Sequence, residues 1–259
     1  MAGRERVYRT EAVVLRHQEL GEADRLVSVY TPDRGKLRLV AKGVRRTHSR
    51  KAGHLEPLTR TSLLVAHGRE LDIVTQADAL HTFPGLRSSL LNVGHASYAL
   101  EMVDRFTFEE GENRALYRLL VETLTRLEEG RAPFSVLRFF DLHVLEAVGY
   151  RPELFRCLSC GREAKPEDQF FGATVGGLLC PACGPSHPGA RPLSLAALKV
   201  LRHLQRSDFE TAAAPAIRST VRAEVEGLLE EYIAAILERH LHTPAFLRTV
   251  RRLEPDPAG

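Results

Sequence analysis

Tryptophan is absent from this 259-residue chain, methionine occurs twice and cysteine only four times. Between residues 1 and 80 there is no phenylalanine, and the only tyrosines are Tyr8 and Tyr30. That scarcity excludes a surface that holds single-stranded nucleic acid by serial base stacking, which needs several rings along one groove. No apolar run approaches the roughly 18 residues that span a bilayer. The start, Met1-Ala2-Gly3-Arg4-Glu5-Arg6, lacks the apolar stretch of a secretory signal. Walker-type loops, G-x-G-x-x-G, internal repeats and low-complexity tracts are missing too, so no loop is built to cradle a nucleotide phosphate. These absences predict a cytoplasmic protein that is not an enzyme.

All four cysteines fall in one pattern, Cys157-Leu158-Ser159-Cys160 and Cys180-Pro181-Ala182-Cys183. Each C-x-x-C turn offers two thiolates from one bend of backbone, and two turns complete a tetrahedral zinc shell. A complete shell leaves no open position, so the predicted zinc, one per chain, is structural. Two disulfides would need an oxidising compartment. A thioredoxin-like motif would need a single C-x-x-C in a βαβ setting. A zinc deaminase would use H-x-E before P-C-x-x-C. His17-Gln18-Glu19 imitates the first part, but Leu179 precedes Cys180 where that signature has proline.

The formal net charge is only +3, yet it is unevenly placed. Residues 1–80 hold 15 Lys and Arg against 10 Asp and Glu. One stretch concentrates the excess: Arg34, Lys36, Arg38, Lys42, Arg45, Arg46, Arg50 and Lys51, with no acid after the first of them. Such a stretch suits phosphate contact; a solvated loop is the plain alternative.

Hydrophobic residues at 44% and charged residues at 27% give a composition that can build globular cores. Five short β segments are predicted at 7–15, 26–31, 36–42, 61–67 and 71–77, the last two joined through Gly68-Arg69 as a hairpin. Within 36–42, Leu37, Leu39 and Ala41 share one face, while Lys36, Arg38, Val40 and Lys42 share the other. Five strands in this length fit a small closed barrel of the OB type, with residues 43–57 as a mobile link. From Leu86 the period becomes helical. Stripes run through Leu90–Phe106, Leu116 to Leu127 and Leu137 to Val148; Ser194 caps a further helix, and Ile217 to Ile236 forms one of about 24 residues. The expected fold class is α+β multidomain. It has an OB-fold DNA-binding domain at 1–80, a helical domain at 81–149 and 193–259, and an inserted four-Cys zinc module at 150–192. Residues 255–259 are expected to fray.

The runs Gly21-Glu22-Ala23-Asp24-Arg25, Thr31-Pro32-Asp33-Arg34-Gly35, Ala41-Lys42-Gly43-Val44-Arg45-Arg46, Ser49-Arg50 and Leu55-Glu56-Pro57 resemble the N-terminal region of RecO. RecO is a bacterial DNA repair and recombination mediator family. The resemblance extends over the whole chain, in the order barrel, helices, zinc insertion. It implies binding to single- and double-stranded DNA, annealing of complementary strands, and partnership with RecR. It also implies help for RecA in replacing single-strand-binding protein (SSB), and a nucleoid-associated location. Some family members lack the cysteines, so zinc does not supply the shared activity. Leu58 stands where many relatives carry an aromatic residue. For the acidic SSB tail, Arg118, Arg126, Arg131 and Arg138 are candidate rim residues. The alternative function is a zinc-ribbon transcription or translation factor, which would read RNA or a specific sequence.

Overall fold

The computed structural model describes residues 6–109 and 111–253. The tail expected to fray lies outside them, as do the first five residues of the signal-peptide reading. Two compact units divide the chain: Met1–Glu129 with Thr243–Gly259, and Gly130–His242. This division does not follow the borders anticipated at 80, 149 and 192, because two helices after the barrel and the last helix belong to the barrel's unit.

In the first unit, β1 (Val7–Leu20), β2 (Asp24–Thr31), β3 (Gly35–Ala41), β4 (Arg60–Ala66) and β5 (Asp72–His81) form a closed barrel in the order β1-β2-β3-β5-β4. Only β3 and β5 pair in parallel, through Leu39 with Asp72 and Val40 with Ile73. Alternation turns Ala12, Val14, Val27, Val29, Leu39, Ala41, Leu63 and Val65 into one core. The barrel is therefore OB-like, as the β-rich first third of the sequence predicts.

The link across 43–57 is built in, contrary to the mobile connection expected. Asp24 accepts the Gly43 N–H at 2.7 Å, Lys51 donates to the Val74 carbonyl at 2.9 Å, and Val44 and Leu55 are buried. Leu58 is buried too, in the left-handed region at φ 62°. That conformation costs a branched side chain on the order of 1–2 kcal/mol. Hydrogen bonds on both sides hold it: Leu58 N–H to the Val14 carbonyl at 3.3 Å, and Val14 N–H to the Thr59 carbonyl at 2.9 Å.

Helices α1 (Leu90–Phe106) and α2 (Arg114–Glu128) follow, each opened by a side-chain cap. Ser89 accepts the Asn92 N–H and Asn113 accepts the Leu116 N–H. The last helix, α7 (Thr243–Leu253), lies on α1. A Cβ on Gly94 would sit 2.6 Å from Leu247 Cδ2, so a larger residue there would have to displace that side chain. Glu101 accepts both the N–H and the hydroxyl of Thr243 and anchors the start of α7.

The second unit contains α3 (Pro133–Ala147), a three-stranded sheet, α4 (Leu195–Arg206), α5 (Phe209–Ala213) and α6 (Ser219–Leu237). The sheet orders β6 (Gln169–Gly172), β7 (Gly177–Leu179) and β8 (Arg191–Leu193) as β7-β6-β8. Ser194 caps α4 as predicted, accepting the Ala197 N–H at 3.1 Å. The last long helix is 19 residues and not about 24, since Glu238 adopts φ 53° and closes it with a bond to Ala234. Among the described residues no helix is long and apolar enough to cross a membrane.

Candidate nucleic-acid interface and metal centre

The two C-x-x-C turns meet. One ligand atom from each of Cys157, Cys160, Cys180 and Cys183 lies within 4.8 Å of the others, and Cys160 and Cys180 Sγ are 3.9 Å apart. Thiolates about 2.3 Å from a tetrahedral ion stand about 3.8 Å from one another, so the donor set and spacing fit a metal. Backbone bonds shape the turns: Gly161 N–H to the Cys157 carbonyl, and Cys183 and Gly184 N–H to the Cys180 carbonyl. The ribbon places Phe171, Leu178 and Leu179 in the interior, with Phe171 edge-on to Tyr232 at 5.5 Å.

Arg162 joins this centre, which spacing alone does not reveal. Its Nε donates to Cys160 Sγ at 3.2 Å and a terminal nitrogen reaches Cys180 Sγ at 3.8 Å. The guanidinium beside it brings the Cys160 thiol down to about 6. Four thiolates on a divalent ion leave a net negative cluster, and a fixed guanidinium offsets part of it. His17 takes no part in a metal group among the described residues; its Nε2 meets Glu56 at 3.1 Å.

The cationic candidates separate into two groups. Lys36 is committed: its ammonium lies 2.8 Å from Asp104 Oδ1 and donates to the Asp104 and Thr107 carbonyls. Both side chains of that pair are nearly covered, at 13% and 12% exposure. Lys51 is spent on the Val74 carbonyl. Arg45 binds Glu19 at 3.1 Å and Arg38 stands 3.6 Å from Glu109, both on the surface. Lys42, Arg46 and Arg50 are exposed and form no ion pair among the described residues. Arg34 lies over the Tyr8 ring at 4.1 Å, at a cavity of about 630 Å³ shared with His67, Arg69 and Asp72. Tyr8 donates its hydroxyl to Asp72 at 2.9 Å, and Tyr30 is 1% exposed. Tyr30 is therefore shut off from a base, and half-buried Tyr8 has Arg34 over its ring.

Residues 5–83 match the family model for the Recombination protein O N terminal, and residues 87–245 match that for the C terminal. The chain belongs to the RecO family. It is 46% identical over 250 residues to the DNA repair protein RecO of Roseiflexus sp. (strain RS-1), spanning 96% of this chain and 88% of that one. Against the DNA repair protein RecO of Desulforudis audaxviator (strain MP104C) the figure is 38% over 241 residues, covering 93% and 96%. For that of Dehalococcoides mccartyi (strain BAV1) it is 33% over 244 residues, covering 94% and 96%. The chain therefore carries the family's two regions and a four-cysteine cluster suited to a metal.

A concavity rich in arginine escaped the sequence reading. In the unit Gly130–His242, Arg151, Phe155, Arg156, Arg202 and Arg206, with Glu153 and Glu163, line a cavity of about 610 Å³. Arg206 lies 3.7 Å and Arg202 4.9 Å from the Phe155 ring centre. Burial, then the neighbouring Arg206, push the Arg202 guanidinium below its ordinary range. Two like charges held together in this way attract an anion. The arginine spacing within α4 was visible; the approach of Phe155 was not. The rim candidates fare unevenly. Arg118 is exposed, Arg126 pairs with Glu122, Arg131 pairs with Glu210, and Arg138 is buried beside Asp141 at 3.0 Å. Arg138 is a core residue and no rim.

Proposed function

We propose that this chain is a DNA repair and recombination mediator that binds single- and double-stranded DNA and anneals complementary strands. With RecR it helps RecA replace SSB on coated DNA. It acts in the cytoplasm on nucleoid DNA and catalyses no reaction. The observation that carries this reading is the barrel surface: Arg34, Arg38, Lys42, Arg46 and Arg50 stay at the surface, while Tyr30 is buried and Tyr8 is half-buried beneath Arg34. Affinity then comes from phosphate and is indifferent to sequence.

Annealing follows from the same asymmetry. Duplex formation is favourable by itself, at roughly 1.4 kcal/mol per stacked step. What opposes it is repulsion between two phosphate chains and the covering of bases by SSB. Cations that hold a backbone leave bases free to pair. The arginine cavity beside Phe155 supplies a place for a second strand. The metal is Zn²⁺, held by Cys157, Cys160, Cys180 and Cys183, and its role is to fold the ribbon.

The test is annealing of complementary oligonucleotides, bare and SSB-coated, with and without RecR and ATP. Acceleration without ATP that fades as salt rises supports the reading. No acceleration at low salt, or a requirement for ATP hydrolysis by this chain, would sink it.

A further inference from the structure

Helix α1 ends with Phe106 in the core, and Thr107 turns into extended backbone at φ −110°, ψ 140°. The next side chain therefore points the other way. Phe108 is 88% exposed, the highest value among the exposed large hydrophobic residues. A single exposed ring is ordinary on a protein surface; its place on this surface is not. Glu109, the following residue, forms bridges with Gly35 and Lys36 of β3, and its carboxylate faces Arg38 at 3.6 Å. The segment is pressed close to the strand. A Cβ on Gly35, at φ 60°, would lie 2.0 Å from the Gly111 carbonyl oxygen, so only glycine admits it. The backbone that carries the ring is thus held beside the strand that holds Arg38.

Resting on the single-strand reading above, we propose that Phe108 is a base-stacking residue, taking one unpaired nucleobase while Arg34 and Arg38 hold the adjoining backbone. Tyr30 is buried and Tyr8 is half-buried, with Arg34 over its ring and its hydroxyl on Asp72, so Phe108, borrowed from the connection between α1 and α2, is the most exposed aromatic ring among the described residues. One stacked base anchors a strand without sequestering its neighbours, which keeps the strand competent to pair. A phosphate on Arg38 replaces Glu109 there. Inside a duplex the bases are already stacked, so the ring serves single strands alone.

The chain has no tryptophan, so Phe108→Trp is a single-reporter variant. Its emission should be quenched by an oligothymidylate and be unchanged by a blunt duplex that also binds. Phe108→Ala, at an exposed position that leaves folding intact, should weaken oligothymidylate binding about 5- to 100-fold by anisotropy. Its duplex affinity and salt slope should match the parent. Equal single-strand affinity of parent and Phe108→Ala would overturn the proposal. So would unquenched emission with the oligonucleotide bound, or an emission shift that follows protein concentration without DNA, which assigns the ring to a contact between copies. A parent without affinity for any DNA would remove the DNA-binding reading as well, and is distinguished by the parent titration alone.

Discussion

The barrel and the ribbon are both small β structures, and they are held by different means. The barrel closes on itself and buries a continuous aliphatic core from Ala12 to Ala77. Each valine or leucine in it contributes about 1.5–3 kcal/mol. The ribbon has three strands of three or four residues and few buried side chains, chiefly Phe171, Leu178, Leu179 and Leu193. A sheet that small is marginal in water without a staple. The same contrast governs their arginines. Barrel cations such as Arg46 and Arg50 face solvent, whereas Arg162 is spent on sulfur. Part of the barrel's charge is left at the surface, whereas the arginine beside the cysteines is spent on cohesion.

Metal removal should separate the two most sharply. Comparable zinc peptides gain about 10–16 kcal/mol from the ion at neutral pH. Chelation, or Cys180→Ser, should erase hydrogen-exchange protection across residues 157–193 and leave that of β1–β5 in place. A ribbon that stays protected without metal would mean that its packing suffices and would break the contrast.

Next in size is the ion pair of Lys36 and Asp104. Removing one partner of a covered pair costs about 3–5 kcal/mol, because the other charge is left without compensation. Asp104→Ala should lower the melting temperature of the barrel unit, and Lys36→Met combined with Asp104→Leu should recover most of the loss. If the single change is neutral, Lys36 returns to the set of cations available for phosphate.

A smaller effect is expected at the barrel surface. Arg38→Glu with Arg46→Glu should weaken binding to every DNA sequence alike. The slope of log K against log salt should become shallower by about 1.4, at about 0.7 per phosphate on a single strand. Weakening for one sequence only would point to base readout. Cys180→Ser should leave that slope unchanged.

The smallest effect is in acid. Burial raises the Asp104 carboxyl, but Lys36 and then Arg16 outweigh it and hold the group below its ordinary 3.8. Its contribution is therefore complete above pH 3.8 and fades as pH falls through the depressed value. The urea midpoint of the barrel unit should drop in that window, and Asp104→Asn should flatten the drop. An unchanged profile in that variant would assign the acid sensitivity to other carboxylates.

Features set by near neighbours were legible in the sequence. Alternation along Leu37, Leu39 and Ala41 marks β3, the cap at Ser194 marks α4, and the cysteine spacing marks the metal centre. What escaped depends on partners far along the chain. Lys36 reads as a free cation until Asp104 arrives 68 residues later. Phe155 meets Arg206 only once the ribbon has folded back on α4. α7 drew no reading from the sequence; Glu238 ends the preceding helix in the left-handed region, and Glu101, far back along the chain, receives Thr243.

The return of α7 to α1 also sets a clock. During synthesis the barrel, α1 and α2 leave the ribosome first, but the groove beside Gly94 stays open until the whole of Gly130–His242 has followed. At roughly 5–20 residues per second, that wait is on the order of ten seconds. In that interval Gly94 and its neighbours on α1 face water, and a nascent chain stalled before Thr243 would display them as a sticky strip for a chaperone to cover.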